Sequence, residues 1–314
     1  MIKVCLVGTG GISGAHIPAW DSMTDVKLTA LCDIRSECLA PYPDKHHYSD
    51  FDTMLEEEKP DILDICLPTY LHADYAVKAM ERGIHVICEK PASLKEEEIE
   101  RVYSTARRMN VKFMIAQVLR FWPEYELIRE VYQTKKYGRL LSGHMSRLGS
   151  SPKWSWNNWM MDKEKSGLVP FDLHIHDLDF IVYAFGIPQN VRKHRASLPD
   201  QDYLNAVYEF PDFFICAESS WYAAPYPFSA GFRFQFEEAL ITYEAGICKI
   251  YQNDGQILDL TADAEGDTGY INLPKSNAYA NEIRYFTDCV MTDQFPDKVK
   301  QKELQAVVKI LSTF

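Results

Sequence analysis

The segment Gly8-Thr9-Gly10-Gly11-Ile12-Ser13 follows directly on an apolar run, Ile2–Val7, and leads into a helical pattern. A glycine-rich turn from strand to helix lets the backbone approach a ligand and aims the first N–H groups of the helix at it, which suits a pyrophosphate. Gly8 permits the tight turn and Gly10 the close approach. The third small position is Ser13 instead of glycine, still small enough for the helix to pack on the strand. Asp33 ends the next apolar run, 20 residues beyond Ser13, where an acid accepts the hydroxyls of a ribose. Turn, helix and acid together specify a dinucleotide-binding βαβ unit, with Gly8, Gly10, Gly11 and Ile12 at the phosphates and Asp33 at the sugar.

The rhythm continues. Ile2–Val7, Lys27–Cys32, Ile62–Leu67, His85–Cys88 and Lys112–Ala116 read as strands buried on both faces. Helical stretches separate them: Ile12–Met23, Phe51–Glu58, Leu71–Arg82 and Leu94–Met109, the last with a capping-box pattern from Ser93 and Glu96. Such alternation predicts an α/β Rossmann domain, a doubly wound parallel sheet, over residues 1–120. The rest, 121–314, predicts an α+β domain with an open, mostly antiparallel sheet. It reads as a helix over Glu124–Lys136, a strand over Leu140–Leu148, a tryptophan-rich loop over Pro152–Trp159 and a helix over Asp172–Ala184. Strands then run from Tyr203 to Leu260, and helices over Ser276–Met291 and Lys302–Leu311 follow. A length of 314 residues suits two domains.

A formal net charge of −12 disfavours a general nucleic-acid role, because phosphate binding needs a basic surface. No run approaches the roughly 18–20 apolar residues of a membrane span, and MIKVCLVGTGG has too short an apolar stretch for a signal peptide. The eight cysteines form no CxxC pair, so we expect reduced cysteines in a cytoplasmic protein, with no metal site. The charge of Asp33 repels a 2′-phosphate and favours NAD over NADP. Arg35, two residues on, is placed to hold that phosphate and keeps NADP open.

Two segments are candidates for chemistry. Glu89-Lys90-Pro91 follows the fourth strand, and ligands in open α/β sheets bind beyond the carboxyl ends of strands. Position alone leaves Lys90 equally readable as an exposed loop lysine. In Asp172-Leu173-His174-Ile175-His176-Asp177-Leu178-Asp179, a helix puts Asp172 and His176 one turn apart on one face, Asp179 on that face too, and His174 elsewhere. A carboxylate beside an imidazole can orient and tune a base near neutral pH. The same pattern also fits acids favoured by the helix dipole beside a satisfied histidine.

The sequence resembles the glucose–fructose oxidoreductase/inositol dehydrogenase family, Gfo/Idh/MocA, over essentially its whole length. GTGGISGAH at Gly8–His16 resembles the nucleotide motif, DICLPTYLH at Asp64–His72 the third-strand segment, and EKP at Glu89–Pro91 the signature tripeptide. QVLRFWPEY at Gln117–Tyr125 resembles the domain junction, and FDLHIHDLD at Phe171–Asp179 the catalytic helix. The resemblance implies that Lys90, Asp172 and His176 carry the chemistry, and that Pro68, His72 and Glu89 lie near the nicotinamide. It implies a hydride exchanged with a secondary alcohol or ketone of a sugar or cyclitol. Trp154, Trp156, Asn157, Asn158 and Trp159 suit a polyhydroxylated ligand by stacking and hydrogen bonding, and Arg120 and Tyr279 are further candidates. It also implies a homodimer or homotetramer built on the C-terminal sheet, an expectation supported by Phe210, Phe213, Phe214, Trp221, Phe232, Phe234 and Phe236 on its strands. An NAD-binding ligand sensor without turnover and an NAD-dependent glycoside hydrolase are the alternatives.

Overall fold

The apolar runs of the N-terminal third become parallel strands: β1 (Ile2–Val7), β2 (Val26–Cys32), β3 (His46–Tyr48), β4 (Ile62–Ile65), β5 (His85–Glu89) and β6 (Phe113–Ala116). They form one sheet in the order β3-β2-β1-β4-β5-β6, which reverses direction of growth between β1 and β4. Helices α1 (Ser13–Asp21), α2 (Phe51–Glu58), α3 (His72–Met80) and α4 (Glu96–Met109) connect the strands. The computed structural model describes residues 1–261 and 277–314.

Two local readings change. Strand β3 was not anticipated, because His46-His47-Tyr48 has neither an apolar run nor alternation; it pairs with β2 at the sheet edge. Helix α4 begins at Glu96, and Ser93 Oγ accepts from the Lys95 N–H at 3.1 Å, so Ser93 shapes the preceding turn and no capping box forms.

The edge is pinned by a buried acid. Glu58, at the end of α2, meets Lys3 Nζ at 2.7 Å, His46 Nδ1 at 2.5 Å, the Tyr48 hydroxyl at 3.0 Å and Thr29 Oγ1 at 3.1 Å. Burial pushes its carboxyl up, but hydrogen bonds from Lys3, His46 and Tyr48 outweigh that and hold it at about 2. A carboxyl held below its unfolded value of about 4.3 stabilises the fold above that pH and loses the contribution as pH falls towards 2. Thermal midpoints of wild type and Glu58→Gln should therefore differ at pH 7, draw together as pH falls below the unfolded value, and converge only as it passes through about 2. A gap that persists unchanged into acid contradicts this assignment.

The second sheet comprises β7 (Leu140–Ser150), β8 (Asn190–Leu198), β9 (Gln201–Glu209), β10 (Phe214–Tyr222), β11 (Ser229–Phe236), β12 (Ala239–Glu244), β13 (Ile247–Gln252) and β14 (Ile257–Asp259). Their order is β14-β13-β12-β11-β7-β10-β9-β8. All neighbours are antiparallel except β7 and β10, which run parallel from Ser142 opposite Phe214 to Ser150 opposite Tyr222. The mostly exposed edge strand β8 carried no apolar signal. Helices α5 (Pro123–Thr134) and α6 (Ile175–Phe185) belong to this unit, and α7 (Ala278–Met291) and α8 (Gln301–Leu311) end the chain. The predicted start of α7 at Ser276 lies outside the described residues.

Four of the seven aromatic strand residues expected at an interface are packed inside the unit instead. Trp221, Phe232, Phe234 and Phe236 are buried within the unit. Tyr125 of α5 meets Phe180 of α6 and Phe232 of β11, each with ring centroids 5.0 Å apart, and Phe210 stacks on Phe213 at 4.5 Å. Of the seven aromatics predicted for an interface, Phe214 is the one classed as exposed.

The chain divides into two compact units. Met1–Gln117 group with Asn277–Lys302, and the residues from Val118 group with Glu303–Phe314. Helix α7 thus returns to the first unit although it lies far beyond residue 120. It packs on α1, with Arg284 Nη1 2.8 Å from Asp25 Oδ1.

Candidate active site

In the first unit, the turn after β1 has the form a dinucleotide needs. Gly8 has φ +91, and a Cβ there would lie 2.6 Å from the Cys66 carbonyl oxygen, so only glycine fits. Its N–H donates to the Cys32 carbonyl at 2.8 Å. Around Gly10 the opposite holds: among the described residues nothing lies within 4 Å of a Cβ built there, leaving the backbone open to a ligand. Ser13 replaces the third glycine at no cost, because its Oγ donates to the Gly10 carbonyl at 2.7 Å and closes the turn. Helix α1 starts at Ile12 with no side-chain cap, and Gly11 and Ile12 are half-buried. These residues fit a pyrophosphate at a helix N-terminus.

Asp33 is more heavily engaged than its position suggested. Its Oδ2 accepts from the Thr9 N–H at 2.9 Å and the Thr9 hydroxyl at 3.1 Å, and its Oδ1 accepts from the Arg35 N–H at 2.9 Å. The Arg35 guanidinium adds bonds of 3.1 Å to each oxygen. Burial pushes the Asp33 carboxyl up, but the Arg35 and Thr9 hydrogen bonds outweigh it and hold the group below the usual carboxylate range. Sequence reasoning missed Thr9, whose place inside the glycine turn was the available signal.

Two of the residues expected near a nicotinamide, His72 and Glu89, are hydrogen-bonded within this unit. His72 is buried, with Nδ1 2.7 Å from the Pro91 carbonyl oxygen and Nε2 2.6 Å from that of Leu67. It ties the loop after β4 to the loop after β5. Glu89 is also buried; Oε1 lies 3.1 Å from His16 Nε2, and Oε2 accepts from the Lys90 N–H at 3.0 Å. Tyr279 of α7 is 7% exposed, with its ring centroid 5.9 Å from that of His16. Pro68 is half-buried in the loop after β4, and its carbonyl accepts from the Leu71 N–H at 2.9 Å. Lys90 follows β5 directly, is half-buried, and precedes a cis peptide bond to Pro91.

In the second unit the Asp172–Asp179 segment is not one α-helix. Pro170–His174 form a π-turn that runs into α6 at Ile175, a feature that recurs at functional sites. The segment's polar residues sort into two groups. His174 is fully buried between the Ser219 hydroxyl at 2.9 Å and the Tyr208 hydroxyl at 2.6 Å, and burial pushes its pKa down to about 3, so the ring is neutral. Asp177 pairs with Arg147 of β7 at 2.9 Å, and Arg147 also reaches the Tyr125 hydroxyl at 3.4 Å. Asp179 pairs with Arg120 through bonds of 2.8 and 2.7 Å, so it does not join the face predicted for it. Asp172 and His176 are the segment's polar residues left partly open.

Arg120 is 0% exposed, and its Nη1 donates to Glu303 at 2.6 Å; a guanidinium so enclosed has the geometry of a tether. Trp154 is 72% and Trp156 39% exposed, whereas Trp159 packs on the cluster of Met160, Val169, Leu204 and Trp221. Asn157 and Asn158 have φ of 50 and 52, consecutive left-handed residues that asparagine tolerates best among those with a Cβ. Among the described residues no helix is long and apolar enough to cross a membrane.

Residues 2–117 match a family model described as "Oxidoreductase family, NAD-binding Rossmann fold", and residues 125–242 match the GFO/IDH/MocA C-terminal domain. The chain belongs to the Gfo/Idh/MocA family. Its first unit is an NAD-binding Rossmann domain and its second carries the family's C-terminal fold. It is 28% identical over 195 residues to D-glucoside 3-dehydrogenase of Escherichia coli, covering 60% of this chain and 55% of that one. It is 29% identical over 194 residues to 2,7-anhydro-N-acetylneuraminate hydratase of the same organism, covering 61% and 52%. The chain thus spans about half the length of the curated relatives it matches. A structure of levoglucosan dehydrogenase with NADH and levoglucosan superimposes with a TM-score of 0.80 at 18% identity, covering 99% of this chain and 95% of that one; this likeness shows the fold.

Proposed function

We propose that this family member is an NAD-dependent oxidoreductase that moves a hydride between the nicotinamide and a secondary alcohol or ketone of a sugar or cyclitol, with Lys90, Asp172 and His176 carrying the chemistry. The observation that supports it most is the sorting of the Asp172–Asp179 segment. His174, Asp177 and Asp179 are bound inward, and Asp172 and His176 stay partly open. Three anchors spent to present two polar groups is an arrangement suited to a reactive site.

The residues at Gly8–Ile12 would hold the pyrophosphate and Asp33 the adenosine ribose. The nicotinamide, when bound, supplies the hydride acceptor or donor. His176 takes the proton of the substrate hydroxyl in oxidation and returns it in reduction. Lys90 donates a hydrogen bond to that oxygen and stabilises the negative charge it develops. Asp172 binds a neighbouring hydroxyl or orients His176. Trp154, Trp156 and Asn157 offer stacking and polar contacts to a polyhydroxylated ring. The relatives named D-glucoside 3-dehydrogenase and D-apiose dehydrogenase support that substrate class.

Purified protein incubated with NAD and a panel of sugars and cyclitols should produce NADH, seen by its absorbance. No NADH across a broad panel contradicts the reading. NAD should bind more tightly than NADP, because the Asp33 carboxylate repels a 2′-phosphate; Asp33→Ser should narrow that gap. Tighter binding of NADP by the wild type removes the argument from Asp33. One relative favours a second reading. The name hydratase denotes addition of water without net electron transfer, and a redox-neutral reaction of this chain would consume substrate with no lasting NADH.

A further inference from the structure

The first unit holds a buried charged cluster that the proposed chemistry does not use. His16 of α1 is fully buried, and its Nδ1 lies 2.8 Å from Asp64 Oδ2. On the ring's other side Nε2 lies 3.1 Å from Glu89 Oε1, and Glu89 Oε2 accepts from the Lys90 N–H at 3.0 Å. The Trp20 indole donates to the same Asp64 oxygen at 2.7 Å, and the Cys66 thiol lies 3.6 Å from its other oxygen. An imidazole can donate from both nitrogens only when doubly protonated. Here each nitrogen faces a carboxylate.

We propose that His16 is an imidazolium clamped between Asp64 and Glu89, and that this clamp is a positioning device for Lys90: it fixes Glu89 so that the free carboxylate oxygen caps the Lys90 backbone N–H. This rests on the reading of Lys90 given above. Two buried carboxylates this close are costly without a cation between them. Among the described residues, the other groups around the ring supply none. From the β4 side come Asp64 and Cys66, from β5 Cys88 and Glu89, and from α7 Tyr279, with Glu282 buried on the same helix. Burial pushes the Cys66 thiol up to about 12 and the Cys88 thiol well above its ordinary value, so both stay neutral. Burial pushes the His16 imidazole down, but Asp64 outweighs it and the ring stays protonated well above the usual range. His16, Asp64 and Cys66 also have metal-ligand spacing. Both ring nitrogens already point at carboxylates, however, and Asp64 Oδ2 carries two donors, so the cluster satisfies itself.

The result of the clamp is one fixed backbone direction for Lys90. The strand end needs this because the Lys90 N–H lies beyond the last paired residues of the sheet, Glu89 and Ala116. A side-chain oxygen replaces the missing strand neighbour, and the cation behind it keeps that oxygen from swinging away.

Nitrogen-15 NMR of histidine-labelled wild-type protein tests the charge without any substrate. Both His16 nitrogens should carry protons throughout pH 6–8, the range in which an ordinary histidine, near 6.5, loses one. A neutral His16 ring at pH 7 overturns the proposal. Amide exchange tests the positioning. In His16→Gln the Lys90 amide should exchange about tenfold faster or more, while the Leu6 and Ile87 amides keep their protection. His16→Arg, a cation with donors for both carboxylates, should keep the Lys90 amide within about threefold of wild type. Equal exchange in both variants, or loss of protection at Leu6 and Ile87 as well, overturns it. If a sugar is found to be oxidised, His16→Gln should lower kcat by about tenfold or more with KM for NAD changed less than about threefold. Failure of the sugar panel alone leaves the NMR and exchange outcomes standing, so the two readings fail separately.

Discussion

Replacing His176 with alanine is expected to lower turnover by about 10²–10⁴-fold, the usual contribution of a positioned general base, while NADH affinity changes less than about threefold. The separation follows from what each part does. The turn that suits the pyrophosphate is made by Gly8, Gly10 and Ser13, none of which involves His176. The helix that carries His176 is anchored by neighbours, through His174 to Tyr208 and Ser219, Asp177 to Arg147, and Asp179 to Arg120. His176 is half-buried, and truncating it between such anchors should leave the fold intact, which the thermal midpoint checks. Loss of activity can then be assigned to the missing imidazole. His176→Gln, which keeps hydrogen-bonding capacity but cannot act as a base near neutral pH, should be as impaired as alanine. Turnover within about tenfold of wild type in either variant removes His176 from the chemistry.

The Rossmann unit was legible because its signals are local. A glycine turn between an apolar run and a helix admits few backbones, and Gly8 shows why: a Cβ there would strike the Cys66 carbonyl. The missed elements, β3 and β8, are edge strands with polar sequences. What defines an edge strand is its pairing with one neighbour, and one-sided burial leaves no apolar run to read. The site was legible in part. The spacing of Asp172 and His176 indicated a shared face. Which other polar residues turned inward depended on partners far away in sequence, such as Arg147 for Asp177 and Glu303 for Arg120. Arg120, His72, Glu89 and Tyr279 share one feature: each stands near a motif in the sequence, and only the structure shows the buried partner it bonds or packs against. A signal did exist for the His16 cluster. Asp64 is the single acid in the otherwise apolar run Ile62–Leu67, and an acid buried on a central strand requires a donor.

The second large effect concerns Arg120. Arg120→Met is expected to cost about 3–5 kcal/mol, the usual result of removing one partner from a buried ion pair. In a unit of this size that lowers the thermal midpoint by about 6–20 °C. The guanidinium is 0% exposed, donates to Asp179 twice and to Glu303 once, and lies 4.8 Å from the Tyr183 ring centroid. Burial pushes its pKa down, but Asp179 and Glu303 outweigh that and hold it above its ordinary value. Without it, Asp179 is left at 1% exposure as an unpaired carboxylate, and desolvation of that group is the main penalty. Arg120→Lys should recover little, because an ammonium cannot span both Asp179 oxygens and Glu303 as the fork does. Arg120→Met with Asp179→Leu should recover most of the loss, since the stranded charge is gone while the partly exposed Glu303 is solvated. A substrate-binding arginine behaves differently: its loss raises KM and leaves the thermal midpoint almost unchanged. Calorimetry beside steady-state kinetics thus separates the two roles. A midpoint within about 2 °C of wild type in Arg120→Met shows that the pair is not the tether of α6.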